Sequence, residues 1–340
     1  MRTHKWILFL SMIGMTSCSN NKNVSSSIDC TLQTKVTSIL ENKLTELNAL
    51  SGQAIIMEVQ TGQIKAMVGL ERKDSVNYQP SENFFQSRET GLMHPVSILA
   101  ALETRKVLLS DTVDVGEGVY SIQDRELKDH NWHRGGYGKL TINEGLAVSS
   151  NIAIYKTVEK SFKPQSYSNQ LNKMDYGKPD SIVGIAKLKP AFINVPTKET
   201  TFAWLSIGYE QKIAPIQILT FYNAIANNGK MVQPQLYKDS TTVINPQIAS
   251  QANIDSLKQA LEYIVTDGFG QSAKSEKVKV AGESGTAQLE DESYLVEFCG
   301  YFPADNPQYS IIVSINKEGL PAAGFMAGEV FRQIVDYMVK

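Results

Sequence analysis

Strand-like apolar runs stand at both ends of this 340-residue chain, and the stretch between them carries helical patterning. Near the N-terminus, Ala54-Ile-Ile-Met-Glu-Val59 and Ile64-Lys-Ala-Met-Val68 flank the short turn Gln60-Thr-Gly62. Two such runs around a glycine-containing turn read as a β-hairpin. Near the C-terminus, residues 278–281, 294–301 and 309–315 are rich in residues that suit a pleated, half-buried surface. Strands gathered from both chain ends, with helices between, predict an antiparallel sheet with flanking helices and a helical insertion.

Helical signals fill the rest. Asp29 or Thr31 caps a helix whose apolar face is Leu32, Val36, Ile39, Leu40, Leu44 and Leu47. Pro95 opens a helix reaching Leu102, and Pro215 opens another that stops at Gly229. Helical patterning also covers 142–159 and 254–265. Ala327, Val330, Phe331, Ile334, Val335 and Met338 share one face of a terminal helix.

The first residues read as a targeting segment. Arg2, His4 and Lys5 precede an apolar run from Trp6 to Met15, too short to span a bilayer comfortably. It ends in Met15-Thr-Ser-Cys18, which resembles a bacterial lipobox. Residues 1–17 are therefore expected to be a lipoprotein signal peptide, Cys18 the lipidation site, 18–27 a tether, and 28–340 the folded domain. The formal charge of −2 offers no electrostatic footprint for nucleic acid. Cys299 lies in the apolar run Val296-Glu-Phe-Cys-Gly-Tyr-Phe302 and reads as a buried small hydrophobe, with a bridge to Cys30 as the less favoured alternative. Asp129, His130 and His133 lack a strong metal spacing and read as a locally hydrogen-bonded loop. Trp132 and Tyr137 read as packing residues rather than a glycan platform.

Six segments carry a resemblance to a known family. They are residues 51–67, 95–103, Tyr137-Gly-Lys-Leu-Thr141 running on to Ser149-Ser-Asn151, Ser206-Ile-Gly-Tyr209 with 215–230, Val280-Ala-Gly-Glu-Ser-Gly-Thr-Ala-Gln288, and Gly300-Tyr-Phe-Pro-Ala-Asp-Asn-Pro307. In this order they resemble the transpeptidase domain of class B penicillin-binding proteins, from about Ile28 to the C-terminus. The resemblance implies an α+β, β-lactamase-like fold: a five-stranded antiparallel sheet flanked by helices, with a helical subdomain over about 95–215. The N-terminal pedestal domain usual in class B proteins is expected to be absent, for want of room between Cys18 and Ile28.

In that family a serine at a helix N-terminus attacks the penultimate D-Ala carbonyl of a stem peptide, activated by a lysine one turn on. The chemistry needs a weak hydroxyl nucleophile beside a base, and a Ser-x-x-Lys spacing puts both on one helix face. This chain reads Arg88-Glu-Thr-Gly-Leu-Met-His-Pro95 instead. Aligned on Pro95, Gly91 stands at the serine and His94 at the lysine; aligned on Glu89 and Gly91 with a one-residue gap, Leu92 takes the serine position. The second motif is intact as Ser149-Ser-Asn151. The third, normally Lys-Thr/Ser-Gly-Thr, reads Glu283-Ser284-Gly285-Thr286. Ser284, Gly285 and Thr286 preserve the strand edge, while Glu283 is expected to reverse the potential that receives a terminal carboxylate.

Two functional readings follow. The first is a non-catalytic, pseudo-transpeptidase lipoprotein on the periplasmic side of a bacterial membrane. It would bind a cell-wall synthesis or division protein, or a stem peptide, through a cleft retaining Ser149, Asn151, Ser284, Gly285 and Thr286. The second is a working D,D-transpeptidase or carboxypeptidase with an unconventional nucleophile, such as Ser149 with His94 as base. An open groove lined by Ser149, Asn151 and Thr286 fits ligand binding; a groove filled by Leu92, Met93 or Glu283 fits a pure interaction role. No cofactor or metal is expected, because this acyl transfer uses side chains alone.

Overall fold

The computed structural model describes residues 26–75, 77–183, 188–237, 240–319 and 323–339. The expected signal peptide, Cys18 and nearly all of the tether lie outside them.

Helix α1 (Cys30–Glu46) starts where the Thr31 and Leu32 amides donate to Asp29 Oδ1 at 2.9 and 3.0 Å. This satisfies two of the donors a helix start leaves unpaired. The hairpin follows as β1 (Ser51–Glu58) and β2 (Ile64–Arg72), then the short edge strand β3 (Tyr78–Pro80). The inserted region begins with α2 (His94–Glu103) and continues through β4 (Thr112–Gly116), β5 (Val119–Ile122), β6 (Arg125–Lys128) and β7 (Gly138–Thr141). Next come α3 (Ile142–Ala147), α4 (Asn151–Ser161), α5 (Pro164–Lys173), α6 (Glu199–Ser206), α7 (Pro215–Ala226) and α8 (Gln251–Asp267). The chain closes with β8 (Ala281–Gln288), β9 (Tyr294–Phe302), β10 (Tyr309–Lys317) and α9 (Ala323–Met338).

The main sheet runs β8-β9-β10-β1-β2-β3 and is antiparallel throughout. It has six strands rather than the expected five, the sixth being β3. Alternation along the strands feeds two cores. Ala54, Ile56, Val68, Val296, Phe298 and Val313 pack with α1 and α9, while Ile55, Met57, Met67, Cys299, Tyr301 and Ile312 join the larger cluster with α2, α7 and α8. Cys299 is free and fully buried, so no bridge links it to Cys30.

Two local expectations shift. The strand expected at 278–281 lies instead at 281–288. Gly282-Glu-Ser-Gly-Thr286 has little strand propensity, but it pairs residue for residue with β9 from Ala281 opposite Tyr301 to Gln288 opposite Tyr294. Tertiary pairing overrides propensity there. The helix expected over 142–159 is two helices, broken at Val148-Ser-Ser150 because Ser149 takes a left-handed conformation with φ +52°.

Candidate active site

The site grows from two helix N-termini. His94 is the first residue of α2 and is 3% exposed. The preceding Leu92 and Met93 are fully buried, and the Tyr222 hydroxyl on α7 donates to the Leu92 carbonyl at 3.0 Å. On the other side, Ser149 closes α3, its amide donating to Leu146 O at 3.0 Å. The left-handed position after a helix is usually glycine; a serine there is strained. Ser150 is the N-cap of α4, accepting from the Ala153 amide. Asp129, fully buried, locks this corner. It accepts from Ser150 Oγ at 2.7 Å and from the Ile152 amide at 3.1 Å. The expected hydrogen-bonded loop is thus the clamp on Ser149-Ser-Asn151.

The turn brings Ser149 and Asn151 onto His94, across 55 and 57 positions of sequence. Asn151 Nδ2 donates to the Lys128 carbonyl at 3.0 Å, which fixes the amide with Oδ1 toward the histidine. His94 Nε2 lies 3.1 Å from that Oδ1. An amide oxygen only accepts, so Nε2 carries the proton and Nδ1 has a lone pair. Ser149 Oγ lies 3.2 Å from Nδ1 and is therefore the donor. A hydroxyl, a neutral imidazole and an orienting amide form one hydrogen-bonded line, the geometry of an activated serine. Burial pulls the His94 pKa down to about 4, against the opposing effect of the Asn151 hydrogen bond. The ring is accordingly neutral at physiological pH and available as a base.

A groove of about 570 Å³ opens beside Asn151. Its walls include Arg125 and Lys128 from β6, Trp204 from α6, Tyr209, Glu89, and Gln288 to Glu290 at the end of β8. Leu92, Met93 and Glu283 are buried and do not line this groove; of the expected lining residues Asn151 does, and Ser149 and Thr286 do not.

Residues 52–336, most of the chain, match the family described as "Penicillin binding protein transpeptidase domain". The chain belongs to this family. It is similar to the probable peptidoglycan D,D-transpeptidase PbpC of Pseudomonas aeruginosa, 28% identical over 87% of this chain and 54% of that protein. It is also similar to the peptidoglycan D,D-transpeptidase FtsI of Buchnera aphidicola, 26% identical over 95% of this chain and 59% of that one. The chain thus spans about half the length of the curated relatives it matches. Its fold is that of the transpeptidase domain of Burkholderia pseudomallei penicillin-binding protein 3, with a TM-score of 0.81 over 94% of this chain and 96% of that one, at 23% identity. These relatives correct the expectation of a pseudo-transpeptidase that is not an enzyme. Over nearly its whole length the chain matches proteins described as D,D-transpeptidases, and the structure joins a hydroxyl to an imidazole where motif comparison found no nucleophile beside a base.

The motif positions of the penicillin-binding transpeptidase family can now be placed. Gly91 lies against β8: a Cβ added to it would sit 2.1 Å from the Thr286 nitrogen and 2.6 Å from the Gly285 carbonyl carbon. No side chain fits at that position. Glu283, expected to reverse the charge of the cleft, does not line the groove. Its side chain is 1% exposed, and burial pushes its pKa well above the usual carboxylate range, which favours the neutral acid. Among the described residues its Oε2 has no hydrogen-bond partner. Ser284 Oγ reaches Phe269 O at 3.5 Å, and Thr286 is half-buried with Oγ1 unpartnered among the described residues.

Sequence reading missed Glu297. It is fully buried on β9, accepting from Thr90 Oγ1 at 2.6 Å and the Gly91 amide at 3.2 Å through Oε2, and from Ser314 Oγ at 3.0 Å through Oε1. It holds the turn before α2 in place. The available signal was a lone acid inside an apolar strand run. Burial pushes its pKa up to about 7, opposed by those hydrogen bonds and by Arg88. The folded state therefore holds a proton that the unfolded chain releases near pH 4.3. Stability from this group is complete below the unfolded pKa and is lost as pH rises through about 7. The loss by pH 8 is roughly 3 kcal/mol. Glutamine keeps the shape, with its oxygen facing Thr90 and Gly91 and its amide facing Ser314. Urea unfolding at pH 5 and pH 8 is expected to show Glu297→Gln gaining stability over the natural protein at the higher pH. An equal difference at both pH values would mean that Glu297 is ionised throughout.

Proposed function

We propose that this chain is a serine acyltransferase of the peptidoglycan D,D-transpeptidase or carboxypeptidase type, with Ser149 as nucleophile, His94 as general base and Asn151 as the residue orienting His94. The observation that carries this reading is the hydrogen-bonded line from Ser149 Oγ through His94 to Asn151 Oδ1. The names of the relatives supply the substrate class, peptidoglycan, and the family resemblance supplies the point of attack, the penultimate D-Ala carbonyl of a stem peptide.

Ser149 Oγ attacks the penultimate carbonyl carbon while its proton passes to His94 Nδ1. Collapse of the tetrahedral intermediate breaks the amide bond, and the departing D-Ala amine takes the proton from His94. The acyl-Ser149 ester is then attacked by an amine or by water. His94 accepts that nucleophile's proton and returns it to Ser149 Oγ as the ester bond breaks. Asn151 keeps the Nε2 proton in place, so that Nδ1 faces the serine throughout. Expectations from the N-terminal sequence, a lipid at Cys18 and an extracytoplasmic position, go with this chemistry. Among the described residues no helix is long and apolar enough to cross a membrane.

The test is covalent labelling of the purified chain with a reporter penicillin, read by intact mass and peptide mapping. One adduct on Ser149 is expected, because attack on a β-lactam opens the ring and leaves the acyl group attached. Its rate should be flat at neutral pH and fall as pH drops through about 4, where His94 gains a proton. Absence of an adduct at any pH, or an adduct on another residue, would sink the proposal.

A further inference from the structure

The groove beside Asn151 holds a cation without a counterion. Glu126 pairs with Lys128 at 2.9 Å, and Glu290 pairs with Lys212 at 2.7 Å. Glu89 has Arg88 and Lys212 as electrostatic neighbours. Arg125 is the first residue of β6, and its side chain has no ion pair or hydrogen bond among the described residues. Its guanidinium carbon instead lies 3.9 Å from the centroid of the Trp204 ring. Stacking of this kind fixes the plane of the guanidinium while leaving its edge N–H groups unpaired. That fork suits two carboxylate oxygens.

From this we infer that Arg125, held by Trp204, receives a carboxylate of the peptide substrate. The inference rests on the acyltransferase reading above. Its position along the substrate follows from the strand. Lys128 O holds Asn151, and Arg125 lies three residues back, about 10 Å along an extended strand. A peptide running down the groove at about 3.4 Å per residue therefore presents a carboxylate two to three residues before the carbonyl attacked. This is a side-chain or branch carboxylate, distinct from the substrate terminus.

Two blocked peptides ending in D-Ala-D-Ala test the assignment on the full chain. One carries glutamate two residues before the penultimate D-Ala; the other carries glutamine there. Calorimetry is expected to show the glutamate peptide binding about tenfold tighter, the usual worth of a hydrogen bond to a charged group. Arg125→Gln should remove that preference, and Arg125→Lys, which keeps charge without the fork, should retain part of it. Arg125 is exposed, so these variants are expected to fold, as circular dichroism would verify. Equal affinities in the natural protein, a preference that survives Arg125→Gln, or binding of neither peptide would overturn the Arg125 assignment. Penicillin labelling of the same preparation separates the two proposals. An adduct on Ser149 leaves the catalytic reading standing even where the peptide preference fails.

Discussion

Ser149→Ala is expected to abolish the covalent penicillin adduct and to slow any peptide turnover by at least about a thousandfold, as loss of a serine nucleophile does elsewhere. The effect should fall on chemistry rather than on folding. Among the described residues Ser149 makes one side-chain hydrogen bond, to His94 Nδ1, while the turn around it is held by Ser150, Asp129 and backbone bonds. Removing Oγ leaves Nδ1 without a donor, which costs about 1 kcal/mol. The melting temperature should therefore stay within a few degrees of the natural protein. His94→Gln should also slow labelling, since the hydroxyl loses its base while the nucleophile remains. Unchanged labelling of Ser149→Ala would assign the acyl group to another residue and end the case for this triad.

Gly91→Ser, the substitution that would restore the family's usual nucleophile, is expected to destabilise the fold without creating an active serine. The atoms that a Cβ at position 91 would meet are the Thr286 nitrogen and the Gly285 carbonyl carbon, both backbone. They belong to β8, whose pairing with β9 holds it in register along its length. A flexible side chain could turn aside; this strand cannot without breaking that pairing. Overpacking of this kind costs about 3 kcal/mol, or roughly 4–6 °C in melting temperature for a domain of this size. Gly91→Ala should lose nearly as much, because the clash arises at Cβ and the hydroxyl is incidental. A Gly91→Ser protein that melts with the natural one and takes up penicillin at residue 91 would show that β8 can yield and that a serine at the family's usual position is functional here.

Much of the scaffold is legible in the sequence. The hairpin around Gly62 was written in two apolar runs, the start of α1 in Asp29, and the faces of α1 and α9 in their helical spacing. Ser149, Asn151 and His94 were each identifiable as chemistry-bearing residues, and a Ser149–His94 pairing could be named as one route to catalysis. Comparison position by position nonetheless gave weight to the missing Ser-x-x-Lys pair. A motif records which residue occupies a slot; it does not record whether a hydroxyl from the next helix reaches the same histidine. The charge state of Glu283 was not legible for a related reason. Sequence supplies an acid, but its ionisation depends on burial, and this carboxyl is buried and does not line the groove.

The sequence by itself determined the local elements and the order in which they must be assembled, because periodicity, caps and turn residues act over a few positions. Tertiary structure alone decided that β8 closes on Gly91, that Glu297 is buried behind that turn, and that Ser149 and Asn151 meet His94. Those outcomes depend on packing between segments 55 to 207 positions apart. There, contact distance and exclusion of water set both who touches whom and which groups carry charge.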